Sequence, residues 1–395
     1  MSAAPEGLTR QDLVAASNLS RPTIKQVIDQ LKADDWLVEA MPSGNGRVAG
    51  QLLLGDRAGR VAGIDIGHGH IHVAIADANG RILARANCEG LDIDAHGPAA
   101  LALAATLLAE CRADAQVDVS ELRGVALGMP GPVTLDGKLA SSLFLGNWTT
   151  VDLEYEMRNA LAREFDADLG EIPILIENDA NLGAHAEARR RPGCEHLLYL
   201  KLSTGIGMGL LLGGRIYRGK TGVAGEFGHV SVPAEARRRT RMEALPPECK
   251  RCGKADCLEN LASCRAIVKR LRAIPGYPED LAIETVIHNA LHEKIEHPTC
   301  LRALKDAALF IGYALAEQVS VLDPGAIVLG GHLAAADELL AKPVEDAITA
   351  HSANLSDVSV EVLSSDRIDS IELEGAIAQA LTETKLPAFK ANGAL

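Results

Sequence analysis

Residues 63–80 read GIDIGHGHIHVAIADANG. Apolar residues alternate from Ile64 to Ile75, a glycine-bearing turn interrupts them, and Asn79-Gly80 closes the unit, which predicts strand, tight turn, strand. Asp65 stands just before that turn, and the turn carries His68 and His70. A phosphate-cradling loop uses small residues and hydroxyls, because backbone N–H groups approach the anion closely and a hydroxyl can hold phosphate or Mg²⁺. Imidazoles are poor substitutes. The stretch therefore has the outline of a phosphate loop without its chemistry.

A second stretch, LKLSTGIGMGLLLGGRIYRG at 200–219, repeats the layout of 64–83: strand, Gly-containing turn, strand, then a tight turn followed by Arg-Ile. From Gly55 onward strands and helices alternate. Paired hairpins that each open an α/β lobe predict two similar lobes, the arrangement in which actin-like sugar kinases grip a nucleotide. The second copy keeps phosphate-loop residues in Ser203, Thr204 and Gly205, with Gly207 and Gly209 beyond them; the first keeps only Asp65 and Gly67.

Length and charge bound the rest. A chain of 395 residues that is 47% apolar can build two or three domains with real cores. A net charge of −14 argues against coating nucleic acid over the whole surface, but a small DNA-reading domain can ride on an acidic body. The longest apolar run, around Ala99 to Ala109, is too short to span a bilayer, and MSAAPEG lacks the features of a signal peptide. No membrane partner and a cytoplasmic location are expected. Of eight cysteines, Cys88, Cys111, Cys194, Cys264 and Cys300 stand alone, and Cys249, Cys252 and Cys257 cluster as metal ligands do.

The first 55 residues predict a winged helix-turn-helix. A short helix follows Thr9, a turn covers Ser17-Asn18-Leu19, and a second helix is capped by Ser20 with Pro22 in its first turn. Ile24, Val27, Ile28 and Leu31 form its apolar stripe, and Arg21, Thr23, Lys25 and Gln26 face the other way, where a recognition helix meets DNA. WLVEA and VAGQLLL read as wing strands with Arg47 at the tip. Residues 1–54 hold five Lys/Arg against six Asp/Glu, so affinity must come from dimerisation. Only about eight residues precede Thr9, so either the helix that usually packs beneath such a pair is dispensable here or the natural start lies further upstream.

Two further segments carry chemistry. In ILIENDANLGAHAEA (174–188) a strand ends at Glu177-Asn178-Asp179 and a helix begins, which puts a carboxylate and an amide at the mouth of a sheet. Asp179 can deprotonate a sugar hydroxyl attacking a γ-phosphate, accept a hydrogen bond from that hydroxyl, or merely cap the helix. In GVAGEFGHV (222–230) and ECKRCGKADCLEN (248–260), His229 with Cys249, Cys252 and Cys257 suits a closed structural zinc site. Glu226 and Glu259 each sit beside a ligand, so a zinc that pins these turns lets both face one sugar.

On ENDAN (177–181), STGIGMG (203–209), GEFGH (225–229), CGKADCLE (252–259) and IVLGG (327–331), the chain resembles the ROK family of repressors, uncharacterised reading frames and sugar kinases, nearly end to end. The resemblance implies an α/β, actin-like (ribonuclease H-like) two-lobed sugar-kinase fold. It implies sugar contacts from Asn178, Asp179, Glu226, His229 and Glu259, and a zinc on His229, Cys249, Cys252 and Cys257. The expected division is a DNA-binding domain over 1–55, a first lobe over 56–180 completed by a C-terminal helix at 372–395, and a zinc-bearing second lobe over 181–371.

Departures from the family pattern choose between activities. Family kinases read Asp-x-Gly-Gly-Thr where this chain has Asp65, Gly67, His68 and Gly69, so the hydroxyl is gone. Near Trp148, SSLFLGNW offers Leu or Phe where many members place a sugar-touching Asn. About ten extra residues separate His229 from the cysteines, and the Arg cluster 237–241 reads as a solvated loop. The favoured reading is a sugar-responsive DNA-binding regulator, a homodimer or homotetramer that binds operator DNA and a sugar effector, with structural Zn²⁺ and no use of ATP and Mg²⁺. Sugar shifts the equilibrium between lobe arrangements and so changes operator affinity. The competing reading is an ATP-dependent hexose kinase with an accessory DNA-binding domain.

Overall fold

Short-range rules account for the N-terminal elements of the computed structural model, which describes residues 7–17, 19–40, 50–140, 148, 151–240, 245–292, 297–352, 361–366 and 370–384. Helix α1 spans Arg10–Ser17 and helix α2 spans Arg21–Ala33. Ser20 caps α2 by accepting the Thr23 N–H, and Pro22 sits in the first turn, where its missing donor costs nothing. Strand β1 (Leu37–Glu39) pairs antiparallel with β2 (Leu52–Leu54), and Ile24 and Ile28 of α2 bury against their leucines. Val27, expected in the same stripe, is instead 42% exposed. Two three-residue strands cover only a narrow face of the helix, and the stripe shrinks to fit it. Arg47 lies outside the described residues.

Asn79 ties this module to the strands that follow. Its side chain donates to Leu54 O and accepts from Leu54 N, both at 2.9 Å, so the 77–81 turn pairs with the end of β2 as a strand would. Ala58 and Ala78 extend the same small core.

Two five-stranded sheets follow. The first holds β3 (Arg60–Ile66), β4 (His70–Asp77), β5 (Ile82–Glu89), β6 (Leu122–Met129) and β7 (Ile174–Asn178) in the order β5-β4-β3-β6-β7. The second holds β8 (Leu197–Leu202), β9 (Ile206–Leu212), β10 (Arg215–Ile216), β11 (Ala326–Gly330) and β12 (Glu361–Ser364) in the order β10-β9-β8-β11-β12. In both, the first three strands form an antiparallel meander and the fourth runs parallel to the first. The repeat visible in 64–83 and 200–219 is thus a repeat of whole sheets. The alternation of β3 does not mark a half-buried strand, because Val61 through Ile66 are all buried. Residues on both faces of a central strand are covered.

By contacts the chain divides into two units. One takes the described residues up to Met129, those from 151 to Glu177, and those from Ala376; the other takes Pro130 to Thr149 and Asn178 to Gly375 where described. The N-terminal module groups with the first unit, and the boundary crosses helix Ile371–Glu383. No helix among the described residues is long and apolar enough to cross a membrane. The arginines from 237 are not a loop: Ala234–Arg239 is a short helix in which Arg237 faces Asp256 and Arg239 pairs with Glu235.

Candidate functional site

Strand β7 delivers its last residues to the start of helix Asp179–Arg190. Asn178, not Asp179, is the N-cap: its Oδ1 accepts from Ala180 N at 3.0 Å and Asn181 N at 3.2 Å. Its Nδ2 donates to Gly131 O at 2.8 Å, so the amide fixes this corner. Capping by the neighbour releases Asp179 from that duty. Its Oδ1 accepts from Ala180 N at 2.8 Å, and its Oδ2 lies 3.0 Å from Lys201 Nζ.

Lys201 belongs to none of the motifs that the sequence displays. It is largely buried on β8 and also lies 3.3 Å from Glu372 Oε1, which accepts from Tyr199 Oη at 3.1 Å. Tyr199 and Lys201 share one face of β8 by strand alternation. Burial, and then the nearby Glu372 charge, raise the Tyr199 phenol well above its ordinary value, so it stays a donor. Asp179 is therefore engaged at both carboxylate oxygens.

Glycines bring the carboxylates beside the cysteine cluster close. A Cβ on Gly205 would stand 2.7 Å from Glu259 Oε2, and that oxygen accepts from Ile206 N at 3.1 Å. Arg251 Nη1 lies 3.6 Å from Glu259 Oε1. Gly225, at φ +96°, has Met208 O where a Cβ would go, and Met208 N donates to Gly225 O. Glu226 follows. Burial, and then the Glu259 charge, push its carboxyl up to about 7 against the opposing pull of Arg251. Of the second phosphate-loop residues, Ser203 Oγ lies 2.6 Å from His332 Nδ1.

His229, Cys249, Cys252 and Cys257 come together with their ligand atoms all within 4.8 Å of one another. A two-residue ladder does this: Leu258 N donates to Val230 O and Val232 N to Asp256 O, which sets His229 beside Cys257. Gly253, at φ +74°, turns the chain so that its N–H donates to Cys249 O. His229 Nδ1 faces Cys249 Sγ at 4.0 Å, and Nε2 faces Glu226 Oε2 at 3.9 Å. Burial, with Arg251 and Lys254 nearby, lowers the imidazole pKa and keeps the ring neutral. Burial raises the Cys249 thiol, but backbone hydrogen bonds from Cys252 and Arg251 outweigh it and leave it below its ordinary value. Burial holds the Cys257 thiol well above its own. Three sulfurs and one neutral imidazole at these separations fit one tetrahedral ion.

In the first unit, the loop after β3 is closed on itself. Gly67 N donates to His70 O, and a Cβ on Gly67 would fall 2.3 Å from the His70 ring. His68 O and Gly69 O accept from Ile93 N and Leu91 N. An imidazole thus occupies the space over Gly67. The changes near Trp148 fall largely on 141–147, outside the described residues.

Two meander-led sheets, a carboxylate at the mouth of β7 and a Cys₃His cluster define a sugar-kinase-like protein. The ROK family model matches residues 61–383, and the chain belongs to that family. It is 24% identical over 338 residues to a xylose repressor of Bacillus subtilis, covering 82% of this chain and 77% of that one. It is 29% identical over 245 residues to a glucokinase of Halalkalibacterium halodurans, covering 59% and 68%. The crystal structure of a ROK family transcriptional regulator, a homolog of the E. coli MLC protein, superposes with a TM-score of 0.69 at 21% identity, covering 95% of this chain and 92% of that one.

Proposed function

We propose that the protein is a sugar-responsive, DNA-binding transcriptional repressor of carbohydrate metabolism, built on a sugar-kinase fold that no longer transfers phosphate. The observation that carries the reading is α2, a capped helix anchored along one narrow face that leaves Arg21, Lys25 and Gln26 exposed to solvent. Similarity to repressors along most of their length supports it. Thr23 is exposed too, with its hydroxyl 2.8 Å from Ser20 Oγ in the cap. Residues 1–55 act as a winged helix-turn-helix, with Arg47 completing the DNA contacts.

Asp179, Glu226, His229 and Glu259 contact the sugar, and Asn178 holds that corner in place. His229, Cys249, Cys252 and Cys257 hold a structural Zn²⁺, which neutralises the thiolates and cross-links the turns bearing Glu226 and Glu259. His70 over Gly67 and the loss of the loop hydroxyl remove the positioning on which phosphoryl transfer depends. Asp65, Gly67, Ser203, Thr204 and Gly205 are what remains of the nucleotide loops. Sugar binding shifts the protein between states of high and low operator affinity.

The test pairs a thermal-shift screen of D-xylose, the sugar in the names of similar repressors, with hexoses and amino sugars, and a coupled ADP assay with Mg²⁺ and millimolar ATP. One sugar raises the melting temperature and releases operator DNA, Asp179→Asn weakens that response, and ADP stays at background. Sugar-dependent turnover on the order of 1–100 per second that vanished in Asp179→Asn would make the chain a kinase instead.

A further inference from the structure

The same loop that lacks a phosphate-binding hydroxyl gathers a different set of donors. Strand register puts them on one face: His72 pairs with Asp65 across β3 and β4, and His70 pairs with Glu89 across β4 and β5. His70 and His72 are two residues apart on one strand and share that face. Asp65 Oδ2 lies 3.0 Å from His70 Nε2, and Glu89 Oε1 lies 2.6 Å from His72 Nε2. The two imidazole rings stack with centroids 4.3 Å apart. One ligand atom from each of Asp65, His70 and His72 lies within 4.8 Å of the others, close to the spread that a single first-row ion needs. Asp65 is only 2% exposed, so its carboxylate is held in a fixed place beside the His70 ring.

We infer that Asp65, His70 and His72, with Glu89 at the rim, form a second metal site that binds a divalent transition-metal ion and clamps β3, β4 and β5 together. Two imidazoles with carboxylate select ions of the zinc, nickel or cobalt type, whereas Mg²⁺ takes all-oxygen surroundings and keeps its waters. The site is separate from the cysteine cluster, which supplies sulfur. Its place on the sheet is that of the lost phosphate loop, so a resident ion there serves structure rather than phosphoryl transfer.

Cobalt separates the two sites, because a thiolate site gives intense charge-transfer absorption with Co²⁺ and a histidine–carboxylate site does not. Full-length protein holding one zinc per chain is titrated with Co²⁺ alone by calorimetry and visible spectroscopy. A second equivalent binds with only weak d–d bands, excess Mg²⁺ does not displace it, and it raises the melting temperature. His72→Ala and His70→Ala each weaken that binding by about tenfold or more while the cysteine-site zinc stays stoichiometric, and Glu89→Gln weakens it less. Retained zinc shows that a variant has folded. No second equivalent, or one bound equally well by a His70→Ala/His72→Ala double variant, would overturn the assignment and leave a hydrogen-bonded Asp–His pair.

Discussion

Asp179 shows what a single residue reveals and what it hides. Its position at the end of an apolar strand is legible in the sequence, and the capping role open to it there falls to Asn178 instead. Lys201 is not legible. Its partners Asp179 and Glu372 lie far off in sequence, and no local spacing announces an ion pair made across a strand, a helix N-terminus and a distant helix. The same holds for His332 on Ser203 and Arg251 on Glu259. The grouping of Cys249, Cys252 and Cys257 was legible because chelation constrains spacing within one short segment, and the fold brings His229 to it. Removing Lys201 leaves two carboxylates facing each other in a largely buried place, where breaking one partner of a buried pair costs about 3–5 kcal/mol. Lys201→Met is therefore expected to lower unfolding free energy by about 3 kcal/mol or more in urea melts. Lys201→Met/Asp179→Asn recovers part of that loss, since the uncompensated charge is gone. A Lys201→Met variant as stable as the parent would mean that the pair is solvated and contributes little.

Elements were predicted from turn chemistry and were wrong where width mattered. Strand, tight turn and strand at 63–80 follow from glycine and Asn-Gly, while the burial of both faces of β3 depends on neighbours that no alternation encodes. Val27 likewise has the right period for the core, and the hairpin is too narrow to reach it. Asn79 is the connection between elements that the turn motif concealed. A type of residue chosen for its backbone here uses its side chain to clasp Leu54. Asn79→Ala leaves two backbone groups of β2 without that partner, at a cost of about 1–3 kcal/mol. It is expected to lower the melting temperature and to blunt the effect of sugar on operator affinity, with sugar affinity itself unchanged in calorimetry. An unaltered sugar response on DNA would show that coupling runs elsewhere. The ladder between 230–232 and 256–258 makes a parallel case. With a zinc pinning it, Cys257→Ser should both lower the melting temperature and abolish stabilisation by sugar, because Glu226 and Glu259 lose their order with the metal. Elemental analysis of protein purified without chelator checks the premise, and sugar binding that survived in metal-free protein would separate the two sites.

Across the whole molecule the sequence repeat pointed to two similar lobes, and two sheets with the same strand order are what it produces. It did not foretell that residues 130–140 group with the second unit. The chain's net charge of −14 makes DNA binding an electrostatic problem. Little help comes from the body, so in the proposed reading affinity rests on a few exposed cations at the start of α2. Each neutralised phosphate steepens the dependence of log affinity on log salt by roughly 0.9. In a symmetric dimer on a palindromic operator, with half-sites about one helical turn apart or a multiple of it, one substitution removes two contacts. Lys25→Ala is thus expected to flatten the slope by about 1.8, to weaken binding evenly across operator variants, and to leave sugar-induced stabilisation intact. A change of roughly 0.9 instead would mean that a single helix engages the DNA, and no change would remove Lys25 from the interface. The salt titration therefore counts the subunits on the operator and tests whether an acidic protein reads DNA through two small basic points.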